Sequence, residues 1–209
     1  MIVQPAGSSL EESTDQSSLL GRTVLDGSAG LGIDAFALAR AGATVTLVEK
    51  SPVAHCLLQD GFQRAAQAEG PLQDILSRMH LYPSPVSCAQ VFEEMKESEE
   101  RPDIIFLDLM NHIKKKHQWR MATGNAKLHL PRYVTLYKHS EGFAHLLLSV
   151  ITGSPTAEEE KRLISQARGL ARDRVVQKQP YYAEADLSGS SLGPFRTRNW
   201  RCNVFLTER

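Results

Sequence analysis

The sequence predicts an α/β protein whose mostly parallel sheet is wound on both faces by helices. Three observations carry that expectation. Short β-rich apolar runs alternate with helical stretches, the pattern of strands joined by crossover helices. A Gly-rich segment, Gly27-Ser28-Ala29-Gly30-Leu31-Gly32, joins the first run to the first helix. Carboxylates close three of the runs, at Asp26, Glu49 and Asp108, and ligands of open α/β sheets sit beyond the carboxyl ends of strands.

Residues 1–20 are rich in Ser, Gln and Glu without periodicity and read as a flexible tail, leaving 21–209 as one domain. Order is expected from Thr23-Val24-Leu25-Asp26, a short apolar strand. A helix over 33–41 follows the glycines and ends at Gly42, where a left-handed cap is wanted. Thr44–Val48 is a second strand ending on Glu49. Ser51 then caps a helix with Pro52 at its first position, and the pattern carries that helix to Gly70. A short helix near Leu72–Arg78, a weak strand near His80–Tyr82 and a helix near Ala89–Ser98 come next. Asp103–Asp108 holds the continuous apolar run Ile104-Ile105-Phe106-Leu107, a buried strand. Helices are expected at about 141–152 and 156–172, the second opened by Thr156 and three glutamates that suit a helix N-terminus. Arg174–Lys178 and Asn203–Thr207 are strands, with Ser188–Pro194 between them as loop. No helix intervenes before the final strand, so it is expected to pair antiparallel.

The chain has 209 residues, 42% hydrophobic and 23% charged, which excludes collagen, coiled coil and wholesale disorder. No apolar run approaches the roughly 18–20 residues of a membrane span. The N-terminus has neither a basic start nor an apolar stretch, so no secretory signal is expected. Cys56, Cys88 and Cys202 are widely spaced and odd in number. They fit a reducing, cytoplasmic setting and offer neither a disulfide framework nor a metal site. Basic and acidic residues balance at 24 each, yet residues 1–100 hold 6 basic against 14 acidic and the remainder 18 against 10. The basic excess is densest from His112 to His145, with seven Lys or Arg and five histidines. That polarity suits a polyanion approaching one side of the molecule, or else a solvated loop. The histidine spacings, with no Cys or carboxylate cluster nearby, match no zinc pattern. No G-x-S-x-G is present to support a serine hydrolase.

The glycine spacing differs from the G-x-G-x-x-G dinucleotide fingerprint. An acidic strand end followed by Gly30-x-Gly32 is instead the form of the turn suited to a nucleotide methyl donor. Asp26 is placed for a cationic or amino group of the ligand, and Gly27, Gly30 and Gly32 let its amino-acid part lie against the backbone. Glu49, 23 residues beyond Asp26, is placed to accept hydrogen bonds from both hydroxyls of a ribose. A surface pair with Lys50 is the blander reading of Glu49. Asp34 is either a ligand contact or simply a first-turn charge.

The stretch VLDGSAGLGIDAFALARAGATVTLVEKSPVAHCLLQDGFQRA resembles the core of the ribosomal RNA small subunit methyltransferase J family. Two further blocks match in family order, Pro102–Met110 and Ala167–Pro180, so that the matches together cover most of residues 23–182. The resemblance implies a Rossmann-like S-adenosylmethionine (SAM)-dependent methyltransferase fold, SAM as cofactor, and transfer of a methyl group to a guanine N2 of small-subunit rRNA in bacteria. It carries SAM contacts to Ile33 and Asp34, to Glu49 and Lys50, and to Asp108. The family's Asp-Pro-Met-Phe-Pro motif is Asp108-Leu109-Met110-Asn111-His112 here, and its Ser-Ser pair falls near Pro85-Val86. An N-terminal portion carried by family members, with a basic Gly-rich stretch before the SAM turn, has no counterpart in the polar tail. After the basic run the chain is expected to hold an insertion, at about 112–140.

A guanine exocyclic amine is a poor nucleophile because the ring draws on its lone pair. An oxygen accepting from its hydrogens orients it and carries developing positive charge, and the base must be splayed out and held on a flat surface. Asp108 is the acceptor and Asn111 occupies the position of the family's aromatic platform, so these two are the catalytic candidates. Trp119, Tyr133 or Tyr137 either replaces that platform or simply packs the insertion. Lys114, Lys115, Lys116 and Arg120 are expected on RNA phosphates, as is Lys178 unless it is a solvated strand-end lysine. Two other readings stay open: a catalytically impaired descendant binding RNA or a protein partner, and a methyltransferase with a different acceptor.

Overall fold

A computed structural model describes residues 19–67, 69–109, 155–180, 192–196 and 200–207. Seven strands form one sheet: β1 (Thr23–Asp26), β2 (Thr44–Leu47), β3 (Met79–Leu81), β4 (Ile104–Leu107), β5 (Arg174–Pro180), β6 (Leu192–Arg196) and β7 (Trp200–Leu206). Their order is β3-β2-β1-β4-β5-β7-β6. The pairs β1–β2, β2–β3, β1–β4 and β4–β5 are parallel. The pairs β5–β7 and β6–β7 are antiparallel, as expected for the final strand. The described helices are α1 (Ile33–Arg40), α2 (Pro52–Ala65), α3 (Pro71–Leu76), α4 (Cys88–Lys96) and α5 (Ala157–Leu170). The chain winds outward from β1 to β3, then returns to β4 on the other side of β1. That reversal is a topological switch point, where a crevice opens beyond the strand ends.

The two faces of the sheet are covered separately. Ile105 and Leu107 of β4 pack with Val91 and Phe92 of α4 and with Ala167 and Leu170 of α5. Their neighbours Ile104 and Phe106 point the other way, into a cluster with Ala35 and Ala39 of α1 and Leu58 of α2. Burial on both faces is why β4 reads as an unbroken apolar run rather than an alternation. Alanines on the sheet side of α1 let its axis approach closely, and both are fully buried. Full burial of side chains such as Leu107 and Ile105 stabilises the fold by about 1.5–3 kcal/mol each.

The helix starts follow the caps. The Ser51 hydroxyl accepts from the Ala54 N–H with Pro52 behind it. Ser87 and Gln90 form a reciprocal capping box on α4, and Thr156 and Glu159 form another on α5. Gly42, with φ 100°, follows α1 as expected and turns the chain into β2.

Several boundaries differ from the sequence reading. Leu19, ahead of Thr23 and inside the expected tail, already lies against the α1 cluster. Helix α2 stops at Ala65, and Gly70, with φ 87°, precedes Pro71 at the start of α3. Strand β7 begins at Trp200, ahead of the expected Asn203. Leu192–Arg196, read as loop because of Gly193-Pro194, is the edge strand β6. An edge position tolerates proline because only one side of the strand is paired, and its mostly exposed residues lack the apolar alternation that marks a strand in sequence. The helix expected at 141–152 and the whole of the insertion expected at about 112–140 lie outside the described residues.

Candidate active site

The Gly-rich turn is stitched to the strands on both sides. The Gly27 N–H donates to the Phe106 carbonyl at 3.0 Å, and the Ala29 N–H to the Val48 carbonyl at 3.0 Å. Gly30 and Gly32 sit at φ 55° and 77°, a left-handed backbone that side-chain-bearing residues rarely adopt. At Gly27 the constraint is space: a Cβ would lie 2.8 Å from Cδ2 of the fully buried Leu107 and 3.1 Å from the Cβ of Cys88. The turn is therefore held by its backbone against the ends of β4 and β2, with no room for a side chain at Gly27.

Glu49 stands just beyond β2 with 8% of its surface exposed. One carboxylate oxygen accepts from the Gly30 N–H at 2.8 Å, and the other from the Ser51 N–H at 2.6 Å. Its main anchors are thus the turn and the start of α2, so a surface pair with Lys50 does not describe it; Lys50 itself is exposed. A carboxylate offers about four lone-pair positions. Two backbone donors fix its orientation and leave acceptor capacity for a pair of hydroxyls.

The ends of β1, β4 and β5 gather three more carboxylates around one ammonium. Lys178 Nζ is 2.6 Å from Asp34 Oδ2 and 3.2 Å from Asp108 Oδ2. It also lies 5.0 Å from the centroid of the Trp200 ring, a cation–π contact. Burial alone would lower the pKa of this lysine. The Asp108 and Asp34 carboxylates together outweigh it, so the pKa is raised and the ammonium is held charged. Asp26, 1% exposed, accepts from the Ser28 N–H at 3.1 Å. Its pKa is pushed up to about 7, chiefly by burial, with the Asp34 and Asp108 charges adding and the Ser28 N–H and Lys178 opposing. Ser28 also ties the turn to the end of β4, its Oγ accepting from the Asp108 N–H at 2.6 Å.

Asp26, Gly27, Gly30, Glu49 and Asp108 thus gather at the ends of β1, β2 and β4, with Gly32 closing the turn, Asp34 joined to Asp108 through Lys178, and Lys50 exposed beside Glu49. Ile33, first residue of α1, is partly exposed and lines a groove with Leu57, Leu58 and Phe62 of α2 instead. Asp34 is a first-turn charge of α1 and a partner of Lys178 at once. Lys178 is not a solvated strand-end lysine, since it faces carboxylates and an indole. Asn111, Lys114, Lys115, Lys116 and Arg120 lie outside the described residues, as do Trp119, Tyr133 and Tyr137.

Sequence reasoning missed Ser28, Trp200 and a buried polar network behind the site. In that network Glu160 of α5 accepts from the side-chain amides of Gln177 and Gln179. Gln179 Oε1 in turn accepts from Arg201 at 2.7 Å and Asn203 at 3.0 Å. The available signal was period two: Gln177 and Gln179 follow Val175 on one face of β5, opposite Asn203 and Arg201 of β7. Among the described residues no cluster of His, Cys, Asp and Glu is arranged for a metal ion, and no helix is long and apolar enough to cross a membrane.

A sheet in the order found here, a Gly-rich first turn and carboxylates at successive strand ends define the nucleotide-type crevice of SAM-dependent methyltransferases. Residues 8–120 match the model of a SAM-dependent methyltransferase family, and the chain belongs to that family. It is 33% identical over 185 residues to ribosomal RNA small subunit methyltransferase J of Histophilus somni, covering 88% of this chain and 61% of that protein. The protein of the same name from Haemophilus influenzae is 32% identical over 184 residues, with the same coverage. The chain therefore spans about three-fifths of the length of these curated relatives. Among solved structures, a SAM-dependent methyltransferase from Neisseria gonorrhoeae aligns over 88% of this chain and 65% of its own, at 27% identity and a TM-score of 0.59. A magnesium protoporphyrin IX methyltransferase from Synechocystis, solved with bound SAM, shares the fold at 15% identity and a TM-score of 0.51.

The residues present fit SAM. Glu49 keeps acceptor capacity for ribose hydroxyls, Gly30 and Gly32 hold a backbone that residues with side chains rarely adopt, and Asp26 offers a carboxyl to an ammonium. When bound, SAM supplies an electrophilic methyl group on a sulfonium, and the protein contributes alignment and desolvation.

Proposed function

We propose that this chain transfers a methyl group from SAM to the exocyclic amine N2 of a guanine in small-subunit rRNA. The observation that carries the proposal is Asp108: a carboxylate at the end of β4, 8% exposed and held by Lys178 and by the Ser28 hydroxyl on its backbone, beside the cofactor turn. The guanine amine needs an acceptor at that place. A carboxylate paired with an adjacent ammonium accepts from an amino hydrogen, points the nitrogen at the methyl carbon, and stabilises the positive charge that develops as the bond forms. The names of the relatives support rRNA as the substrate class. The basic excess of the second half of the sequence suits the phosphate contacts that dominate RNA affinity. We assign Lys114, Lys115, Lys116 and Arg120 to those contacts and the reaction to the cytoplasm, where small subunits are assembled.

The test is transfer of labelled methyl from SAM to small subunits purified from cells lacking the modification, followed by nucleoside analysis. Expected is one N2-methylguanosine per subunit, lost in Asp108→Asn. SAM binding without label on any subunit would overturn the rRNA assignment. Parallel trials with tRNA and protein would then separate another acceptor from a non-catalytic RNA-binding role.

A further inference from the structure

The order of the last strands has a consequence for the acceptor. Because β7 runs antiparallel to β5, its first residue, Trp200, lies at the same edge of the sheet as the carboxyl ends of β1, β4 and β5. Lys178 pairs with Cys202 in register, so Trp200 is its diagonal neighbour, two residues along on the same face. The lysine ammonium sits 5.0 Å from the indole centroid and 3.2 Å from the Asp108 carboxylate. Together those distances place the indole centroid within about 8 Å of that carboxylate oxygen, with the ammonium over one face of the ring.

We propose that Trp200 is the stacking wall of the acceptor site, on which the target guanine lies while its amino group meets Asp108. Lys178 is a positioning residue: one ammonium ties the acceptor carboxylate, the first turn of α1 and the indole into a fixed geometry. An indole presents a broad π-face to any base, and base–aromatic stacking is tolerant of which edge is read. The assignment supplies the flat surface that splayed-base chemistry requires, from a strand rather than from the loop that follows β4. It rests on the guanine reading above.

The experiment uses the full chain in two single-tryptophan forms, Trp119→Phe and Trp200→Phe, with indole fluorescence as the readout. Guanosine 5′-monophosphate, in the presence of S-adenosylhomocysteine, is expected to quench the form that keeps Trp200 and not the form that keeps Trp119. Ribose 5-phosphate should quench neither. In the transfer assay Trp200→Leu is expected to lower kcat/KM for small subunits about 10- to 100-fold with SAM affinity unchanged. Quenching confined to the Trp119 form, or equal quenching by ribose 5-phosphate, would overturn the proposal. So would a loss in Trp200→Leu that is matched by lost SAM affinity, since that marks a structural role. If the parent labels no RNA the guanine-transfer reading fails by itself, and the quenching result still decides whether Trp200 meets a base.

Discussion

Replacing Asp26 by Asn tests the electrostatics of the crevice directly. Asp26 titrates near pH 3.8 when unhindered and near pH 7 in the folded chain. A carboxyl with a raised folded pKa contributes stability that is fully present below pH 3.8 and is lost as pH rises through 7. At about 1.36 kcal/mol per unit, ionising it in place costs about 4 kcal/mol. That is a large share of the roughly 5–15 kcal/mol that holds a domain together. Asparagine keeps an oxygen for the Ser28 N–H and carries no charge. The stability of Asp26→Asn relative to the parent should therefore climb by about 3 kcal/mol between pH 5 and pH 8. Urea unfolding of both chains at each pH, compared as a difference, cancels the titrating groups that Asp26 does not touch. Calorimetric SAM affinity of the variant should fall over the same range, since the carboxylate offered to the cofactor's ammonium is gone. A stability difference that stays flat from pH 5 to pH 8 would refute the assignment of the strain to this carboxyl. The cost is of the kind tolerated at sites where charge must be held ready for a ligand.

Three further outcomes follow from the same geometry. Glu49→Ala should weaken SAM binding at least about 100-fold by calorimetry if Glu49 is the ribose acceptor, since it also removes the anchor of the Gly30 N–H. Lys178→Met removes the ammonium that Asp34 and Asp108 share and should cost about 2 kcal/mol in urea unfolding at neutral pH. Gly27→Ala drives a methyl group against Leu107 and should cost about 1–3 kcal/mol, a loss that Leu107→Val in the same chain should partly restore.

Most of the parallel sheet was legible because its signals are local. A Gly-rich turn between an apolar run and a helix, Ser51-Pro52 at a helix start and Thr156 before three glutamates each declare their geometry within a few residues. The strand-end carboxylates Asp26, Glu49 and Asp108 followed from the same reading, since strand direction places them at one edge. Strand β6 escaped it because a proline-bearing edge strand has no buried face to pattern. Gln177 and Gln179 escaped because a polar residue in a strand reads as solvent-facing until a partner such as Glu160 is brought over it.

What the sequence alone determined is the alternation of strand and helix, the turn that excludes side chains, and the acidic residues that end successive strands. All of these are set by backbone sterics and periodicity over short spans. Only the tertiary structure decided what those acids are worth. Lys178 meets Asp34 across 144 residues of chain and Ser28 meets Asp108 across 80. Such meetings depend on β5 lying beside β4, and on β7 reversing direction to carry Trp200 back to the crevice. Charge and burial act through space, so the pKa of Asp26 and the wall beside Asp108 emerge only when distant segments share one edge of the sheet.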